Sequence, residues 1–281
     1  MKNIEHVFII GNPRSGTSMF RMMLNSHKNM IVPPECGFAH WLSSKYSGLD
    51  NYNHIVYENF ASDVFNSKKF ETWSISKEGL LSVIRTNQPK DFESLVKSVY
   101  LSYIEDAANI KVVGDKNNYY IDHLPEIKSL FPSARFIHLV RDGRDVACSY
   151  KALDKLDNDS IYKPKLSANI SDIAQEWNSN NSKILQSLQG DMISIRYEDL
   201  IESPTVELKR VCKYLGVKFD GKMLEFHLNN DEPKELLAWK KKTESEVDPS
   251  NKGKYLTILS EKEISQFEDI AEEMLLHFNY V

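Results

Sequence analysis

Residues 6–18 read HVFIIGNPRSGTS, a short β-branched and aromatic run that breaks abruptly into a loop of Gly, Pro and hydroxyl residues. The run has the length and composition of a strand buried on both faces. Directly after the loop, Met19, Phe20, Met23 and Leu24 recur at helical spacing, so the chain passes from strand to tight loop to helix. Gly11 and Gly16 stand at the spacing of a phosphate-binding loop, in which backbone N–H groups and a helix amino terminus surround an anion. The lysine that follows the second glycine in nucleoside-triphosphate enzymes is replaced by Thr17, which argues against a kinase or ATPase. What remains is a cradle holding Pro13 and Arg14, with the hydroxyls of Ser15, Thr17 and Ser18 supplementing the N–H groups. It suits a phosphate that carries one further small anionic group. A simple helix-capping turn accounts for the glycines and Ser15, but not for Pro-Arg between them directly after a buried strand.

Three more runs have the composition of buried strands: KVVGD from Lys111, ARFIHLV from Ala134 and MISIRY from Met192. Each precedes a helical pattern, as with Leu124, Ile127 and Leu130 after the second strand. Strand then helix, repeated, predicts one α/β domain over residues 1–281, a parallel sheet with helices on both faces. Two long polar stretches, 43–97 and 151–189, read as helical insertions that line a substrate cleft. Ile264, Phe267, Ile270, Ala271, Met274, Leu275 and Phe278 predict an amphipathic C-terminal helix covering the sheet.

The net charge of -5 argues against a general nucleic-acid binder, whose affinity comes from clustered Lys and Arg. Cys36, Cys148 and Cys212 stand far apart with no C-x-x-C pair, which indicates neither a zinc site nor a disulfide framework. The VFII run is shorter than a signal-peptide core, and no stretch approaches the ~20 apolar residues of a membrane span, so a cytoplasmic protein is expected.

A second signal lies at 131–150, FPSARFIHLVRDGRDVACSY. Arg141 leaves the carboxyl end of a strand, where open α/β sheets bind ligands, and its guanidinium suits bidentate phosphate recognition. Asp142, Arg144 and Asp145 are expected to cap and charge-balance the following helix.

With this second element the chain resembles the sulfotransferases that use 3'-phosphoadenosine 5'-phosphosulfate (PAPS), especially the branch with tyrosylprotein, heparan and bacterial members. The resemblance implies a fold like that of the P-loop NTPases, with residues 11–18 holding the 5'-phosphosulfate and Arg141 and Ser149 gripping the 3'-phosphate. Arg14 and Arg141 would then clasp opposite ends of one nucleotide. It further implies Glu35, in IVPPECGF, as the base that deprotonates the acceptor, and Lys116, in VVGDKNNYY, as the cation at the sulfuryl or bridging region, with Arg14 sharing that work. Other branches use a histidine base; His27, His40 and His123 are available. In ISIRYEDL, Tyr197 is placed against the adenine side, and in DPSNKGKYLTIL the residues Ser250, Lys252 and Lys254 are placed at the phosphates. The sequence departs from the pattern at Tyr255, where Trp is more usual, and at Gly253, where some relatives carry Ser.

The implied activity is sulfuryl transfer from PAPS to a hydroxyl or amine of a small-molecule, glycan, lipid or peptide acceptor. No metal is expected, since neither paired carboxylates nor a His cluster suggests one. An ATP-using P-loop kinase would need Asp115 or Asp142 for Mg2+. A non-catalytic binder of adenosine phosphates or sulfated glycans would need neither Glu35 nor Lys116.

Overall fold

The computed structural model describes residues 4–157 and 160–281. Its centre is β1 (Glu5–Ile10), in which Val7, Phe8, Ile9 and Ile10 are all fully buried. Burying a side chain of this kind contributes about 1.5–3 kcal/mol, so the first strand alone anchors a large share of the core. Alternation sends Phe8 and Ile10 to one face of the sheet and Val7 and Ile9 to the other.

The sheet has five parallel strands in the order β2-β3-β1-β4-β5, where β2 is Met30–Ile31, β3 Val112–Lys116, β4 Arg135–Val140 and β5 Met192–Arg196. The four strands expected from the sequence are present. The fifth, β2, is two residues long and too short to show any periodicity. Because β1 lies between β3 and β4, the loop that follows it opens at the carboxyl edge between the ends of those two strands. This is the position at which open α/β sheets take ligands.

On the Phe8 face lie α2 (His54–Phe65), α3 (Lys77–Asn87), α4 (Phe92–Leu101) and α5 (Leu124–Leu130). The insertion 43–97 is thus helical, and its three main helices begin at Asn53, Ser76 and Asp91, each accepting N–H bonds from the first turn. On the Val7 face lie α1 (Thr17–Asn25) and α8 (Pro204–Tyr214). Also on the Phe8 face, over β4, α6 (Gly143–Asp154) and α7 (Ile170–Ser187) form a separate apolar cluster with Val140 and the C-terminal α9 (Glu261–His277), and Asn181 of α7 bonds His138 of β4. That last helix packs mainly on α7 and reaches the sheet through Phe278 against the His138 ring, because its apolar stripe matches Ile173, Ala174 and Trp177. Among the described residues, no helix is long and apolar enough to cross a membrane.

Candidate active site

The loop after β1 is shaped by two close approaches. A Cβ on Gly11 would stand 2.4 Å from the Leu139 carbonyl oxygen, and one on Gly16 would stand 2.5 Å from the Tyr197 ring. Gly16 also has φ 92°, the left-handed region that favours glycine. Arg14 shares that region at φ 70° without being glycine, a conformation that costs on the order of 1–2 kcal/mol and is held here by the side chain's anchors. Its Nε donates to Ser149 Oγ at 3.0 Å and its Nη1 to the Trp239 carbonyl at 3.0 Å. No carboxylate pairs with it among the described residues, and burial together with the nearby Arg141 charge lowers its pKa.

Arg141 follows β4 and turns back over the same loop. Its Nη1 donates to the Arg14 carbonyl at 3.4 Å, its Nη2 to the Asn251 carbonyl at 3.2 Å, and its guanidinium lies 4.6 Å from the centre of the Tyr197 ring. Asp145, one turn into α6, lies 3.6 Å from it. The two arginines expected at opposite ends of a nucleotide are therefore neighbours, tied through the Arg14 carbonyl. Arg141 Nε and Ser15 Oγ are both buried without a hydrogen-bond partner. The late segment joins here: Asn251 Nδ2 donates to the Tyr197 hydroxyl at 2.6 Å, and Lys242 bonds Asn251 Oδ1. Lys242 is exposed as a residue, yet desolvation at the cleft and then Lys254, Arg141 and Arg14 pull it down to about 8.

At the other end of the cleft stands Glu35. Pro33 and Pro34 stiffen the approach to it, the Trp73 indole donates to the Pro34 carbonyl at 3.1 Å, and Cys36 is buried just beyond with its thiol directed at the Lys68 carbonyl. Lys116, the last residue of β3 and almost wholly buried, places Nζ 3.2 Å from Glu35 Oε2, and Lys69 lies 3.5 Å from the same oxygen. Burial alone would raise the Glu35 pKa, but Lys116, Lys69 and Lys240 together overcome it and hold the carboxyl at about 2. Lys240 pairs with the buried Glu232 at 2.6 Å, which in turn meets Arg21 at 2.9 Å, and Arg21 also grips Asp231 through two bonds. Burial and the Lys116 charge bring Lys240 down to about 8 against the pull of Glu232 and Glu35.

These residues face one cleft of about 520 Å3. Pro13, Arg14, Gly16, Thr17, Ser18, Glu35, Lys116, Arg141, Ser149, Tyr197 and Lys254 all line it, while Ser15 lies buried behind the loop. Ser250 and Lys252 do not: the Ser250 hydroxyl bonds Asp248 and Lys252 pairs with Glu202. Lys69 from the first insertion and Tyr162 from the second reach the cleft, as expected of segments that line it. Lys69, Asn118, Lys240, Lys242 and Asn251 are lining residues that sequence reading missed, although Asn118 and Asn251 stand close to residues it named. Neither Asp115 nor Asp142, the carboxylates named for an ATP kinase, lines the cleft. Asp115 points to the opposite face, where the Tyr100 and Tyr120 hydroxyls donate to it and burial raises its pKa to about 7, and Asp142 caps α6 and pairs with Arg144. Of the candidate histidines, His27 is buried and bonded to the Lys218 carbonyl, and His40 and His123 lie outside the cleft lining.

Known proteins share the chain's fold and family. A Caenorhabditis briggsae protein that carries the protein-tyrosine sulfotransferase name is 26% identical over 241 residues, covering 81% of this chain and 71% of that one. The sulfotransferase domain from the curacin biosynthetic pathway superposes with a TM-score of 0.62 at 22% identity, covering 96% of this chain and 97% of that one. Mouse sulfotransferase SULT7A1, solved in complex with PAP, gives a TM-score of 0.51 at 13% identity, covering 95% of this chain and 82% of that one. At such identities the two structures speak for a shared fold. Residues 6–221 match the sulfotransferase family, and the chain belongs to that family of sulfuryl-transferring enzymes.

Proposed function

We propose that the cleft binds PAPS and that the chain, as one domain, moves its sulfuryl group to a hydroxyl or amine of an acceptor. One observation carries this reading: a cationic group of Arg14, Arg141, Lys242 and Lys254 lies at one end of the same cleft that holds the Glu35–Lys116 pair at the other. The unpartnered Arg141 Nε and the carboxylate-free Arg14 are donors suited to phosphate oxygens. The PAP complex of the mouse relative supports the same nucleotide here. The three free, buried cysteines support a reducing compartment, the cytoplasm.

In this reading the loop N–H groups with Thr17 and Ser18 hold the 5'-phosphosulfate, and Arg141 with Ser149 and Arg14 holds the 3'-phosphate. Tyr197, Asn251 and Lys254 close the nucleotide side. The bond between sulfur and the bridging oxygen breaks as the acceptor oxygen or nitrogen bonds to sulfur. The acceptor's proton passes to Glu35, and Lys116 balances charge on the departing oxygen. A carboxylate at about 2 is a weak base. The donor's negative charge beside Lys116 and Lys240 offsets their field, so Glu35 regains basicity once the cleft is filled.

The test is thermal melting with 3'-phosphoadenosine 5'-phosphate, ATP and AMP in the absence of Mg2+. The bisphosphate is expected to raise the Tm well above either competitor, and Glu35→Gln is expected to keep that shift while losing labelled-sulfate transfer by ~100-fold or more. Equal shifts from ATP and the bisphosphate would refute the nucleotide assignment.

A further inference from the structure

The fold assembles a cluster that the transfer chemistry does not use. His40, just past Glu35 in the chain, and His123, just past Lys116, meet Glu126 at the surface. His40 Nε2 lies 2.7 Å from Glu126 Oε2 and His123 Nδ1 lies 3.1 Å from the same oxygen, so two imidazole nitrogens converge on one carboxylate. The His40 and His123 rings sit 4.3 Å apart, and the three donor atoms all lie within 4.8 Å of one another. Tetrahedral zinc with ligand bonds of about 2.0–2.1 Å sets its donors about 3.3 Å apart, and the two imidazole-to-carboxylate distances, 2.7 and 3.1 Å, lie close to that spacing.

The support behind the cluster is also that of a metal site. The Tyr119 hydroxyl lies 3.0 Å from His40 Nδ1, and a hydroxyl serves that nitrogen in either tautomer. When Nε2 gives up its proton to bind a metal, Nδ1 carries the proton and donates it to Tyr119, the outer bond that metal-binding imidazoles regularly make. Two neutral imidazoles and one carboxylate are donors for a borderline divalent transition ion rather than for Mg2+ or Ca2+.

We propose that His40, His123 and Glu126 form a zinc site with an open fourth position, which clips the segment carrying Glu35 to the segment carrying Lys116. The pair at the cleft end is thereby held from outside by a single ion.

The probe is Zn2+ alone, titrated into the full chain by competition with a chromophoric chelator, with Co2+ absorption reporting coordination. One ion per chain is expected to bind, to raise the Tm and to give the intense visible bands of a four-coordinate Co2+ site. His40→Ala and His123→Ala are expected to abolish all three signals, whereas alanine at the exposed His54 leaves them intact. Tyr119→Phe keeps the ligands and is expected to weaken affinity on the order of 10–100-fold. Circular dichroism without metal shows whether each variant is folded. If His40→Ala folds and binds Zn2+ with unchanged affinity, or if the wild type takes up no ion at 100 micromolar (about a weak-binding ceiling), the site is disproved.

Discussion

The loop after β1 and the segment 231–254 meet in one cleft, yet they are held by opposite means. The first is fixed through its backbone: a buried strand delivers it, α1 continues from it, and the close packing of Gly11 on the Leu139 carbonyl and of Gly16 on the Tyr197 ring leaves it one path. The second has only short helical turns and is pinned by side chains from far along the chain, Arg21 on Asp231 and Glu232, and Tyr197 on Asn251. Placement through the backbone and placement by distant ion pairs respond to different insults.

The sharpest way to break the second kind is Arg21→Ala. It leaves the wholly buried Glu232 side chain with one fewer cation, and losing one partner of a buried pair costs about 3–5 kcal/mol. A urea titration should show that loss, along with weakened nucleotide binding if 231–254 helps form the site. The matching insult to the first kind is Gly16→Ala, in which a methyl meets the Tyr197 ring in a left-handed backbone; about 2–3 kcal/mol of stability should be lost.

Acid separates the two regions next. Burial would raise the Glu232 pKa, but Arg21 and Lys240 hold it at about 2, below the ordinary value of 4.5. The folded value is depressed, so its contribution is present above pH 4.5 and is lost as the pH falls toward 2. Between pH 5 and 3 the wild type should lose on the order of 2 kcal/mol from this group, and Glu232→Gln, less stable at pH 7, should show a shallower acid limb in melting scans. The smallest effect is expected for Ser250→Ala and Lys252→Ala. These side chains satisfy Asp248 and Glu202 at the surface, so stability should change by less than about 0.5 kcal/mol and bisphosphate affinity should hold by calorimetry. A large loss of affinity there would show that the late segment closes differently over nucleotide.

The same division decides what could be read in the sequence. The four longer strands, α1 and the residues from Pro13 to Ser18 follow from apolar runs and glycine spacing, which act over a few residues. Arg141 was legible as the end of a strand and Ser149 through the family resemblance alone, and both line the cleft. Lys240, Lys242 and Asn251 were not, since nothing in LAWKKKTESEVDPSNKGKY tells which lysines face inward until Glu232 and Tyr197 are in position. The Ser250 and Lys252 assignments missed the cleft lining for that reason: the Asp248 turn and the Glu202 pair turn their side chains elsewhere, and Asn251 between them takes the inner place. The proximity of Arg14 to Arg141 was equally hidden, because it depends on Arg14 adopting a backbone angle rare outside glycine.

Cys36 sits in the chain directly after Glu35 and is sealed from solvent. Burial pushes its thiol up to about 12, and Cys148 and Cys212 to about 11. At neutral pH the buried Cys36 stays in the thiol form, so electrophiles react with it only when the surrounding shell parts. The native chain thus carries its own chemical clock: the alkylation rate at that sulfur, followed by mass spectrometry, times the breathing of the wall behind Glu35 without an added label.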